Sequence, residues 1–370
     1  MDKQSMISKG WKYISCDKNI LNIDYVLCSG QSFRWKKVDG IWVGVHQKKL
    51  WKLKQENDCI WFRVAHNTQS SSTPSLQLKN DKLTKANIRK RSMCNPKQKT
   101  AKVIKLDKNN NHTVIDADSQ KNFPIENEFN EEAILCDYFQ LDIDLNSLCK
   151  SWSNVDKHFA MIHKKFPGVR MLRQDPVENL FSFICSSNNN ILRISSMVEN
   201  MCSKFGDVIC KDGEITYYSF PTVDSFAKNG TEEVLRGLGF GYRAKYIYQT
   251  AIQVRERGGA AWLNNLRLLS YCDAHSELVK LPGIGAKVAD CICMMSLDKP
   301  NAIPVDTHVW QIAVRDYDIK TLKKTKTLTA TSYRAIGEHF RNLWGGYASW
   351  AMNFLFVADL KQFKHPFSQK

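Results

Sequence analysis

The sequence has no uninterrupted apolar run near the ~18 residues that a membrane-spanning helix requires, so no such helix is expected. Met1 to Gly10 lacks the apolar stretch of a secretory signal, and the chain is expected to stay inside the cell. Cysteine is not scarce, with twelve residues, but a metal-binding spacing is missing. Cys291 and Cys293 stand one residue apart, which is not a zinc spacing. No cysteine follows Cys293, which removes the four-cysteine loop of an iron–sulfur cluster. Neither a metal nor a cofactor is expected, and the cysteines read as reduced thiols, several in apolar stretches such as Phe183-Ile184-Cys185. Acidic residues are in deficit: 37 Asp and Glu face 53 Lys and Arg, a formal charge of +16 over 370 residues. That balance favours a polyanionic partner, nucleic acid before membrane.

Aromatic residues are nearly missing between His66 and Asn130, a Ser/Asn/Lys-rich stretch that contains Asn109-Asn110-Asn111. Such a composition cannot offset its ordering entropy by burial, and the segment is expected to be a disordered insertion. Its basic residues, Arg89-Lys90-Arg91, Lys97, Lys99 and Lys102, form either a solvated charge run or an import or DNA-tethering signal. Before the insertion, short runs rich in aromatic and β-branched residues predict strands at Ser32 to Val38, Ile41 to Val45, Leu50 to Leu53 and Cys59 to Val64. Asp39-Gly40 predicts a tight hairpin between the first two. From Glu131 onward the apolar spacing turns to three and four, around Ile134 to Leu148, Val177 to Ile184 and Ile191 to Met201. Further helices are predicted at Thr231 to Leu238, Tyr242 to Glu256, Ala260 to Leu269, Ala274 to Val279 and Tyr333 to Leu360, the last interrupted near Gly345-Gly346. The expected fold is α+β: a small N-terminal antiparallel β-sheet domain, 1–165, and a mainly α-helical domain, 166–370.

Chemistry concentrates in Leu281-Pro282-Gly283-Ile284-Gly285-Ala286-Lys287-Val288-Ala289-Asp290. Proline and two glycines force a tight turn between helices, and a helix opening after such a turn offers its free N–H groups to a phosphate. Taken alone, the turn is equally well read as helix punctuation. Lys287 falls in the first turn of the new helix, where the positive end of the dipole disfavours an ammonium. Partial burial would favour the free amine of a nucleophile in the same way. Asp306, in Ile303-Pro304-Val305-Asp306-Thr307-His308, reads both as an N-cap for the next helix and as a catalytic carboxylate.

With these residues, the chain resembles the helix-hairpin-helix glycosylase superfamily, and more narrowly the eukaryotic 8-oxoguanine DNA glycosylase/AP lyase family. The resemblance covers about residues 10–65 and 131–365. It runs through Gly30-Gln31-Ser32-Phe33-Arg34-Trp35, Phe181-Ser182-Phe183-Ile184-Cys185-Ser186-Ser187-Asn188-Asn189-Asn190, Gly239-Phe240-Gly241-Tyr242-Arg243-Ala244, Leu281 to Met294 and Val305-Asp306-Thr307-His308.

The resemblance implies a helix-hairpin-helix fold and excision of 8-oxoguanine opposite cytosine after base flipping. By similarity, Lys287 attacks C1′ and Asp306 assists. Asn188, Arg193 and Arg243 hold the orphaned cytosine, and Tyr242 is the wedge. Gly283, Gly285 and His308 contact phosphates. Gly30, Cys291 and Phe356 form the base pocket, where Met352 stands in place of the family's glutamine. The implied partner is double-stranded DNA with an oxidised purine, met by a monomer in the nucleus or also the mitochondrion. Two other readings stay open: a related glycosylase preferring ring-opened purines, and a DNA-binding module without catalysis. The endonuclease III and adenine-glycosylase branches fit less well, because the cysteine cluster is missing.

Overall fold

The structure, a computed structural model, describes residues 3–65, 130–319 and 327–364. The expected insertion at 66–130 lies outside the described residues except for Asn130.

After α1 (Lys3–Ser8) the chain enters β1 (Lys12–Ser15), α2 (Ile23–Val26), β2 (Trp35–Val38), β3 (Ile41–His46), β4 (Lys49–Glu56) and β5 (Cys59–Ala65). The strands make one antiparallel sheet in the order β1-β5-β4-β3-β2. Asp39-Gly40 forms the predicted hairpin turn with φ of 48° and 78°. Gln47-Lys48 and Asn57-Asp58 turn the same way, each pair with both residues at positive φ. Gly44 is required by its neighbour across the ladder, since a Cβ there would lie 2.5 Å from the Trp35 ring. One sheet face carries Trp35, Trp42, Trp51, Leu53, Ile60 and Phe62 into a core closed by Ile23 and Val26 of α2 and by α3 (Glu131–Tyr138). The buried indoles keep their hydrogen bonds, Trp35 to the Tyr138 hydroxyl at 2.9 Å and Trp42 to Asp24 at 2.7 Å.

The helical part follows with α4 (Leu145–Val155), α5 (Lys157–Lys165), α6 (Pro176–Ile184) and α7 (Ile191–Phe205). A hairpin of β6 (Val208–Asp212) and β7 (Ile215–Tyr218) interrupts it and packs Ile209 on Val43, Val45 and Leu50 of the sheet. The predicted all-helical run missed this hairpin. Then come α8 (Val223–Phe226), α9 (Thr231–Gly237), α10 (Arg243–Glu256), α11 (Gly259–Asn265) and α12 (Tyr271–Leu278). The last described elements are α13 (Ala286–Ser296), α14 (Thr307–Arg315), α15 (Ala330–Trp344), α16 (Ala348–Asp359) and α17 (Lys361–Lys364). Gly345 does divide the last predicted stretch, at φ 75°.

Helix α6 is set by Pro176 at its first turn and by the Asp175 side chain, which accepts the N–H groups of Val177 and Glu178. Eight of its nine residues, all but Glu178, are buried, and the face that packs on α13 brings Phe183 beneath Lys287. Phe33, from the loop entering β2, belongs to this helical core and stacks edge-on against Phe183 at 5.5 Å. The sheet thus delivers the Ser29–Phe33 loop directly to the hairpin helix. Among the described residues no helix is long and apolar enough to cross a membrane.

Candidate active site

The hairpin turn is built for close approach. Gly283 has φ 76°, and a Cβ there would sit 2.6 Å from Cγ of Tyr246. The Thr250 hydroxyl donates to the Pro282 carbonyl at 2.7 Å, so α10 holds the turn at two adjacent points. Gly285 opens α13 with no side-chain cap, leaving the first amides of the helix to a ligand. Lys287 lies in this first turn, half-buried, with Nζ 5.3 Å from the centre of the Phe183 ring. Asp306 is the predicted N-cap: its Oδ1 accepts the Val309 N–H of α14 at 2.9 Å.

One narrow cavity of about 90 Å³ gathers the two residues with the predicted base pocket. Gly30, Cys291, Met352 and Phe356 line it together with Lys287 and Asp306. Cys291 registers both charged neighbours: burial pushes its thiol up to about 11, Lys287 pulls it down and Asp306 pushes it up. Gly30 has φ 84°, and a side chain there would press on Ile191 at 3.2 Å. Its loop is fixed through Gln31, whose Oε1 accepts the Leu172 N–H at 2.9 Å and whose carbonyl accepts from Gln174 at 2.8 Å.

Ser349, Met352, Asn353 and Phe356 form the α16 wall. The one-residue turn of about 100° suggests that Asn353 should point away from Met352's side. It lines the same cavity instead, because positions 349, 352, 353 and 356 make a single helical stripe that straddles the pocket. Its amide donates to the Arg170 carbonyl at 3.2 Å.

The expected flipping residues meet at one loop. Asn188 sits at φ 48°, and Arg243 donates to the carbonyls of Ser187 and, at 3.3 Å, Asn188. Arg243 is buried and stacks on the ring of exposed Tyr242 at 4.6 Å. The Tyr242 hydroxyl also reaches the Ser187 carbonyl, at 3.2 Å. Arg193 is exposed in the first turn of α7. Tyr242 caps α10, and Tyr246 and Thr250 follow it along the helix, so a single helix registers the exposed Tyr242 ring against the hairpin. His308 lies in the first turn of α14, with Nδ1 2.8 Å from Asp359 and its ring edge-on to Phe356 at 5.6 Å.

Sequence reasoning passed over Asp290. It is fully buried and receives the hydroxyls of Tyr271, at 2.6 Å, and of Tyr333. Burial raises its carboxyl above the usual range, and the two hydroxyls, His275 and Arg341 pull it back. Its place three residues after Lys287 in an apolar helix was the available signal, since a carboxylate there needs partners. A roomier cavity of about 480 Å³, lined by Arg34, His46, Tyr138, Glu178 and Phe220, holds neither Lys287 nor Asp306 and is not the candidate site.

Residues 13–180 match the 8-oxoguanine DNA glycosylase N-terminal domain, and residues 181–336 match the HhH-GPD superfamily of base excision DNA repair proteins. The chain is 43% identical over 234 residues to N-glycosylase/DNA lyase OGG1 of Arabidopsis thaliana, covering 62% of each protein. It is 39% identical over 257 residues to the N-glycosylase/DNA lyase of Saccharomyces cerevisiae, covering 62% of this chain and 68% of the yeast protein. The match to the plant relative thus leaves more than a third of that protein's length uncovered. The fold is that of the Clostridium acetobutylicum 8-oxoguanine glycosylase/lyase, solved with double-stranded DNA containing cytosine opposite 8-oxoG, at TM-score 0.66, 24% identity and 91% coverage of both chains. With two consecutive domain matches and a yeast relative covered over two thirds of its length, the chain belongs to the N-glycosylase/DNA lyase family of helix-hairpin-helix base excision repair proteins.

Proposed function

We propose that the chain is a bifunctional DNA glycosylase/AP lyase that excises 8-oxoguanine opposite cytosine from duplex DNA. The observation that carries this reading is the convergence of Lys287 and Asp306 with Gly30, Cys291 and Phe356 on one cavity. The target nucleotide leaves the stack, Tyr242 fills the gap, and Asn188, Arg193 and Arg243 hold the orphaned cytosine. The Lys287 amine attacks C1′; the C1′–N9 bond breaks and its electron pair leaves with the base, which takes up a proton. Asp306 stabilises the positive charge that develops on the sugar and helps move protons. Ring opening gives a Schiff base between C1′ and Nζ. Loss of a C2′ proton then expels the 3′ phosphate, and water releases the lysine.

Gly283, Gly285 and His308 contact the phosphates. The excess of basic over acidic residues, +16 in all, supports a DNA partner. Residence in the nucleus, and in the mitochondrion as well, follows from where the substrate is kept. One observation favours a broader lesion range that includes ring-opened purines: Met352 lines the pocket with a flexible thioether.

The test is single-turnover excision from duplexes with 8-oxoguanine opposite each of the four bases. Excision opposite cytosine should be fastest, and undamaged guanine opposite cytosine should stay intact. Exposed Arg193 should behave as a pure base contact, so Arg193→Ala should erode the cytosine preference by about 1–3 kcal/mol at unchanged Tm. Equal rates opposite all four bases would contradict the reading.

A further inference from the structure

We infer that Tyr333, held by Asp290, is a positioning residue that sets Asp306 against Lys287. The inference rests on the glycosylase/lyase reading above. Asp290 belongs to the same helix as Lys287, one turn further on, and is fully buried. A carboxylate removed from water must be hydrogen-bonded, and two phenols do this from different helices, Tyr271 of α12 at 2.6 Å and Tyr333 of α15. A hydroxyl has one proton to give and lone pairs to receive. Tyr333 gives its proton to Asp290, and its oxygen accepts the backbone N–H of Val305 at 3.4 Å. The same oxygen lies 3.5 Å from the Ile303 carbonyl.

Val305 is the residue before Asp306, whose side chain is already fixed as the cap of α14. A continuous path, Asp290 to Tyr333 to Val305, therefore ties the helix bearing the nucleophile to the segment bearing the carboxylate. The carboxyl acceptor polarises the phenol and strengthens the hold of its oxygen on the Val305 amide. Tyr271 supplies an internal control. Its hydroxyl donates to the same carboxylate, but among the described residues it makes no hydrogen bond to residues 303–306.

The experiment compares the full chain with Tyr333→Phe and Tyr271→Phe. Three quantities are read: Tm, Kd for a duplex with an uncleavable abasic analogue opposite cytosine, and the single-turnover rate of borohydride-trapped adduct on 8-oxoguanine opposite cytosine. Each phenylalanine removes one hydroxyl from Asp290, so a purely structural network loses stability and rate alike in both. Positioning predicts that Tyr333→Phe alone loses rate, by about 10- to 100-fold for a displacement near 1 Å, at unchanged Kd. Tyr271→Phe should keep the wild-type rate. Parallel losses in the two variants, or a wild-type rate in Tyr333→Phe, would overturn the inference. If Tyr333→Phe does not fold, Asp290→Asn carries the test: it keeps the volume, weakens the acceptor and must show the same loss of rate at unchanged Kd. A wild-type rate in Asp290→Asn would overturn the inference equally. A wild-type chain that forms no adduct would remove the functional reading and this inference together, whereas an active wild type with unaffected variants removes the inference alone.

Discussion

Met352 is buried in the α16 wall at the position where the family resemblance implies a glutamine. A thioether is a weak acceptor and no donor, so it cannot pair with the edge of a purine as an amide can. Asn353 shares the stripe, but its amide already donates to the Arg170 carbonyl. Met352→Gln should therefore raise kcat/KM for 8-oxoguanine, by roughly 1–3 kcal/mol of added recognition, and raise it less for a formamidopyrimidine lesion. Equal kcat/KM values for variant and wild type on both lesions would show that position 352 does not read the base. The Asn353 placement also marks what residue-level reasoning misses. A helix buried nearly all round presents a stripe two residues wide, and the angle between neighbours does not decide which of them faces a cavity.

Two elements have testable energetics. The hairpin turn holds Gly283 at φ 76° against the Tyr246 ring, so Gly283→Ala should cost at least about 1–2 kcal/mol of stability from the left-handed backbone alone. Gly285 has φ −91° and open space at its Cβ position, and Gly285→Ala should leave the unfolding midpoint near wild type. Equal Tm values for the two alanine variants would contradict this account of the turn.

The first turn of α6 carries Glu178, which meets Arg34 at 3.5 Å. Burial pushes its carboxyl from an ordinary 4.5 up to about 7, with Arg34 pulling the other way. Between those two values the folded chain keeps a proton that the unfolded chain has released, so this group's stabilising contribution falls as pH rises to about 7. His46 in the same cavity has the opposite sign: burial and Arg34 lower it from 6.5 to about 4, and its contribution is lost as pH falls through that window. The Tm difference, wild type minus Glu178→Gln, should therefore decrease from about pH 5 to about pH 8. A difference that is flat or increases across that range would contradict the partly buried, proton-holding carboxyl.

At the scale of the whole molecule, the sheet-then-helices order and most helices were legible because their apolar periods are long and their caps ordinary. The β6–β7 hairpin was not. It is short, partly exposed, and stabilised by docking Ile209 on the distant sheet, a contact that no local pattern announces. The turns at Gln47-Lys48 and Asn57-Asp58 were equally silent, since neither contains the glycine that flagged Asp39-Gly40. The cavity residues were legible through the resemblance. Their convergence was not, because Gly30 is brought to Lys287 by long-range packing of Phe33 on Phe183 in the helical core.

The central claim is that the Lys287 amine forms the covalent bond to C1′. Reduction with borohydride during turnover on 8-oxoguanine opposite cytosine, followed by proteolysis and mass spectrometry, locates that bond. The account predicts a sugar-derived mass on the peptide containing Lys287, and no adduct from Lys287→Gln although that variant still binds the lesion duplex. An adduct on another residue, or one that persists in Lys287→Gln, would contradict it.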